Sequence, residues 1–181
     1  MSNNSWYQKL ISSVIAGSAV ANTTTQTSVL PLYAKYTLGA NWIEKIGDKF
    51  RIKACGKLST AASTPGTLSW FVMFGAIAVF AGGASATLAT SQTNVTWRLE
   101  IDLDVIQPTK NTTTSAQIQG EGEFKTAGLT ALIQLLPATS PGPGTGFDST
   151  ASFAVDLQAA FSVANASNSI TCNAYELVSC T

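Results

Sequence analysis

Val95-Thr96-Trp97-Arg98-Leu99-Glu100-Ile101-Asp102-Leu103-Asp104-Val105 decides the fold class. Trp97, Leu99, Ile101, Leu103 and Val105 share one parity; Arg98, Glu100, Asp102 and Asp104 share the other. Side chains alternate across a strand with period two, whereas a helix would scatter these charges around its circumference. The stretch is therefore a half-buried antiparallel strand, apolar on one face and charged on the other.

The same parity recurs on both sides of it. Phe50, Ile52 and Ala54 alternate with Lys49, Arg51 and Lys53. Ala116, Ile118, Gly120, Gly122 and Phe124 alternate with Gln117, Gln119, Glu121 and Glu123. Phe153, Val155, Leu157, Ala159 and Phe161 alternate with Ala154, Asp156, Gln158 and Ala160. Residues 169–178 read as a last strand, and residues 11–19 and 29–33 as early ones. Turn residues cluster at Ser63-Thr64-Pro65-Gly66, residues 81–84, 108–114 and 140–144. Residues 138–149 read as an exposed loop. Helix signals are confined to one or two turns at 128–136 and a short turn within 38–46, with Asn41 as an N-cap. Strands at this spacing predict an all-β, antiparallel β-sandwich, jelly-roll-like, with few or no helices. Residues 1–21 read as an N-terminal arm, and residues 22–181 as a single sandwich domain.

No charged residue occurs between Lys57 and Arg98. The dense apolar run inside that interval, Phe71 to Ala81, is split by Gly75 and is too short for a membrane helix, which needs about 20 residues. Two strands joined by a tight Gly75-Ala76 turn account for it. The other apolar stretch, Lys9 to Asn22, is interrupted by Ser12, Ser13, Gly17 and Ser18, unlike the unbroken core of a signal peptide.

Charged residues make up 11% of the chain, against about 25% in ordinary soluble domains. Ten basic residues balance ten acidic ones. That argues against duplex nucleic acid, which recruits Lys and Arg to its phosphates, and against polybasic membrane association. There is no His, so His-based nucleophile pairs and most zinc sites are absent. No phosphate loop, GxSxG elbow or CxxC occurs. Glu100, Asp102 and Asp104 form a row that could receive a hard cation, but alternation alone predicts a solvated strand face there. The expectation is a protein that is not an enzyme, with no catalytic residue, no cofactor and no metal. The odd cysteine count (Cys55, Cys172, Cys180) suits free, buried thiols; a single bridge from Cys55 to Cys172 is the rival.

Trp70 and Trp97 fall on predicted strands and read as core. Trp6 and Tyr7 precede the first convincing strand. With Leu10 and Ile11 they are the candidate interface residues, because aromatic and aliphatic anchors carry binding energy.

The order of short motifs resembles a family of small virion proteins of tailed bacteriophages, common among phages of cyanobacteria and marine bacteria. The resemblance rests on Ala21-Asn22-Thr23-Thr24-Thr25, Ser28-Val29-Leu30-Pro31, Tyr36-Thr37-Leu38-Gly39-Ala40-Asn41 and Gly47-Asp48-Lys49-Phe50-Arg51-Ile52. It continues through Thr64-Pro65-Gly66-Thr67-Leu68, Phe74-Gly75-Ala76 and Val95 to Ile101, and ends with Phe147-Asp148-Ser149-Thr150 and Ala164 to Thr171. It implies a jelly-roll capsid decoration (cement) protein, a homotrimer on the outer capsid surface of the virion, with the major capsid protein as partner. Others in the group are tail or fibre parts, so a host-surface carbohydrate-binding module is the alternative. The resemblance implies no catalytic residue.

Overall fold

The computed structural model describes residues 7–109 and 116–180. In chain order the strands are β1 (Tyr7–Ser13), β2 (Val20–Ala21), β3 (Thr27–Ser28), β4 (Thr37–Leu38), β5 (Lys49–Ser59), β6 (Leu68–Phe74), β7 (Ile77–Ala84), β8 (Val95–Gln107), β9 (Ala116–Thr126), β10 (Ile133–Leu136), β11 (Gly144–Phe147), β12 (Phe153–Phe161) and β13 (Ser169–Cys180). One 3-10 turn, Leu32–Ala34, is the sole helical element among the described residues. An eight-stranded sheet runs β1-β13-β5-β8-β9-β10, with β2 beside β13 and β11 beside β9. A five-stranded sheet runs β3-β12-β6-β7, with β4 beside β12. The named strands pair antiparallel throughout, and the two sheets form the predicted β-sandwich.

The parity read from the sequence sets which face is buried. Phe50, Ile52, Leu58, Trp97, Leu99, Ile101, Leu103, Ile118 and Phe124 point inward from the large sheet. Leu68, Trp70, Val72, Phe74, Val155, Leu157 and Phe161 meet them from the small one. Trp70, Trp97 and Phe124 form one aromatic cluster, with centroids 5.0 Å apart for the two indoles. Phe50, Phe74, Phe147 and Phe153 form a second. The charge-free interval supplies β6 and β7, and Gly75, at φ +59°, makes the two-residue turn between them. Gly at the first central position is what a hairpin turn of type II′ requires. No helix among the described residues is long and apolar enough to cross a membrane.

Several local expectations are corrected. The first strand is Tyr7–Ser13, not 11–19. The ladder stops after Ser13; Gly17 passes so close to Val29 that a Cβ would lie 2.0 Å from its carbonyl oxygen, and its N–H donates to the Cys172 carbonyl of β13. Val29 and Leu30 are buried, but the paired residues are Thr27–Ser28; Pro31, without an N–H, leads into the 3-10 turn. Asn41 is left-handed at φ +58°, whereas an N-cap is extended. Residues 128–136 turn at Leu132 and then form β10 against β9, because edge pairing outweighs a weak helical pattern. The expected loop 138–149 contains β11, anchored by Phe147 in the second aromatic cluster. Within the expected arm, 1–21, the described part joins the large sheet: β1 and β2 both pair with β13.

Two features of the interior make sharp mutational tests. Gly56 on β5 faces a bulge in β13, and an added Cβ would sit 1.9 Å from the Thr171 carbonyl oxygen and 3.0 Å from the Trp97 ring. Gly56→Ala should destabilise by about 2–3 kcal/mol or more through overpacking, read from the urea midpoint. Tyr175 is fully buried and its hydroxyl makes no hydrogen bond among the described residues. Burial pushes this phenol well above its ordinary range. Tyr175→Phe should therefore be neutral or stabilise by about 1 kcal/mol in the same assay, because an unpaired buried hydroxyl is a cost.

Candidate interaction surface

The outward parities of the two sheets differ in chemistry. On the large sheet β5 presents Lys49, Arg51, Lys53 and Lys57, and β8 presents Arg98, Glu100, Asp102 and Asp104. Glu121, Glu123 and Lys125 on β9, with Lys9 on β1 and Glu176 on β13, bring this face to thirteen of the chain's ten basic and ten acidic residues. Register places Lys49 opposite Asp104, Arg51 opposite Asp102, and Lys53 opposite Glu100. Arg51 donates two parallel bonds to Asp102, Nε to Oδ1 at 2.7 Å and Nη2 to Oδ2 at 2.9 Å. That planar fork is the strongest pairing geometry available to a carboxylate. It holds the Asp102 carboxyl below its ordinary range, against the opposing effect of partial burial.

The β8–β9 pairing is different. Glu100 lies opposite Glu123, and Asp102 opposite Glu121. Like charges directly across a ladder destabilise it. Glu123 is relieved by an ion pair with Lys125. A cleft of about 480 Å³ crosses this face, floored by Cys55 and Ala174 and walled by Lys53, Glu100, Arg98 and Lys125. Among the described residues no group of three or more metal-ligating side chains is placed to hold an ion.

The outer face of the small sheet is nearly free of charge. Its rows read Ala160–Ser69–Ala84, Gln158–Phe71–Ala81 and Asp156–Met73–Ala78. Asp156 is only 5% exposed and is sealed by three donors: Ser28 Oγ at 2.6 Å, Lys35 Nζ at 2.9 Å and Gln158 Nε2 at 2.8 Å. Gln26 Nε2 in turn donates to Gln158 Oε1 at 2.9 Å. The ion pair of this face is thus turned in on itself; Phe71 is half-buried, Met73 is buried beneath Gln26, and small residues make most of the rest.

The chain matches no family model, no curated protein and no solved structure.

Of the expected interface residues, Trp6 lies outside the described residues. Tyr7 is 60% exposed at the start of β1. Leu10 and Ile11 are half-buried and pack against the core, where they fasten β1 to the sheet. The three cysteines are free. Cys55 takes the outward parity of β5 beside Arg98, and Cys172 is buried opposite Gly56 at the start of the β13 bulge. Burial pushes the Cys172 thiol up to about 12. The neutral face was legible only as the missing charge between Lys57 and Arg98. Which residues of β12 complete it depended on non-local pairing.

The ladder has a defined pH signature. Folding favours ionised Asp102, so its contribution is complete above the ordinary carboxylate range, about pH 4, and is lost as pH falls through the lowered value. Arg51→Ala should cost about 1 kcal/mol at neutral pH, given the pair's partial exposure. Urea titrations of wild type and variant should converge as the pH is taken below about 4.

Proposed function

We propose that this chain is a non-enzymatic structural protein that coats a protein shell, and specifically a capsid decoration (cement) protein of a tailed bacteriophage. The observation that carries this reading is the division of charge between the two outer faces. A face of Ala, Ser, Gln and Phe71 costs little to desolvate against another protein. A face holding most of the charges keeps the coated particle soluble. The five-stranded sheet is then the docking face toward the major capsid protein, and the eight-stranded sheet faces solvent. The motif succession from Ala21 to Thr171 supports the phage assignment and a jelly-roll wiring of the sandwich. Weak individual contacts suffice for the homotrimer that the resemblance implies, because its linked copies engage several identical sites of the shell at once.

The alternative, a host-surface carbohydrate-binding module, wants an exposed aromatic platform in a cleft. The 480 Å³ cleft is floored by Cys55 and Ala174, and its Tyr175 is buried.

The test is addition of purified protein to undecorated shells, with occupancy read by cryo-electron microscopy. Ala81→Arg, on the neutral face, should reduce occupancy about tenfold or more without lowering the melting temperature, because it buries an unpaired charge. Arg98→Glu, on the charged face, should bind as wild type does. Equal occupancy for Ala81→Arg and wild type would sink the proposed orientation, and no density on the shell would sink the decoration reading.

A further inference from the structure

The two edges of the eight-stranded sheet carry largely exposed side chains. At the β1 edge Tyr7 is 60% exposed and Lys9 has a 57% exposed side chain. They lie two residues apart on the outward parity, opposite Cys180 and Val178. Their Cα atoms are therefore separated by about 6.8 Å along the strand. At the other edge Leu135 is 69% exposed on β10. A groove of about 520 Å³ opens there between the outer face of β9 and the chain turning through Pro137 to Pro141. Leu135, Pro137 and Pro141 make its apolar wall, and Glu121 and Glu123 make its acidic lip.

Glu121 is exposed, and among the described residues it has no cation partner. It faces Asp102, whose two oxygens are already engaged by Arg51. The groove thus lacks one cation, beside an apolar wall that fits a ring. The β1 edge presents an aromatic ring and an exposed ammonium two residues apart. Lys9's own neighbour, Glu176, is a loose 3.7 Å contact.

We infer that the β9–β10 groove of one copy receives the β1 edge of a second copy. Tyr7 packs on Leu135 and Pro137, and the Lys9 ammonium meets Glu121. The two patches are different, so the contact is heterologous and each copy offers one of each. Such contacts propagate until they close a ring or extend as a chain. The contact uses the two rims of the eight-stranded sheet, with the outward side chains of β9, and leaves the outer face of the five-stranded sheet free. It does not rest on the docking reading above and is measured without any shell.

Within one chain Lys9 and Glu121 cannot meet. β13, β5 and β8 lie between their strands, and four strand spacings separate them by about 19 Å. A charge exchange between these positions therefore reports only on contact between copies. The experiment is sedimentation velocity of the full chain over a concentration series at low and high salt. Wild type should exceed the monomer mass in a concentration-dependent way, less so at high salt. Lys9→Glu and Glu121→Lys should each weaken association about tenfold or more while leaving circular dichroism and melting unchanged. The double variant K9E/E121K should recover association, and Tyr7→Ala should weaken it. A wild type that stays monomeric throughout, single variants that associate like wild type, or a double variant no better than the singles would each overturn the inference.

Discussion

The structure depends on the register of β5 against β8. Phe50 meets Leu103, Ile52 meets Ile101, Ala54 meets Leu99 and Gly56 meets Trp97 on the inner face, while Lys49, Arg51 and Lys53 meet Asp104, Asp102 and Glu100 on the outer one. A slip of one residue would exchange the faces, driving Arg51 into the core and Ile52 into water. The apolar and ionic patterns specify the same alignment. Gly56 adds a third, steric constraint, since only a residue without Cβ lets Trp97 and the β13 bulge approach together. Agreement among independent local choices is what separates one fold from its competitors.

That pair also explains why so few charges suffice. Opposite signs face each other across β5–β8, so the charged face is largely self-neutralising and the formal net charge is zero. The exceptions lie one strand further out, where β9 sets Glu121 and Glu123 beside acids already satisfied from β5. On the other sheet the single carboxylate, Asp156, is enclosed by Ser28, Lys35 and Gln158, and so ties β3 and the turn after it to β12. The two sheets use charge in opposite ways: one displays it as a ladder, and the other conceals it as a clasp.

How much of this the sequence disclosed follows from the range of the interactions. Strong alternation at 97–105, 116–124 and 153–161 needs no partner to be read, and these strands stand where expected. Gly75-Ala76 was equally plain, because a local turn carries its own signal. The errors fall where a distant partner decides. Residues 133–136 become a strand because β9 is there to pair with, and 144–147 because Phe147 finds Phe74 and Phe153. Tyr7 gained a strand from the far end of β13. The charge-ladder residues were visible individually, but their division from a neutral face was not, since it requires knowing that β6, β7 and β12 share a sheet.

The edges complete the argument. A neutral chain with little charge risks indiscriminate association, and open strand edges are the usual route. β1 carries an exposed Lys9 and a register shift between Lys9 and Ile11, both of which obstruct continuous pairing with another strand. β10 has only four residues and runs into Pro137. The far side of β7 is closed by Ala138, which donates to the Gly82 carbonyl, and by Gly144 against Val79. Backbone addition is thereby discouraged at three edges, while side chains such as Tyr7 and Leu135 stay exposed. A molecule built this way discourages open-ended sheet growth while leaving individual side chains at its edges exposed to solvent.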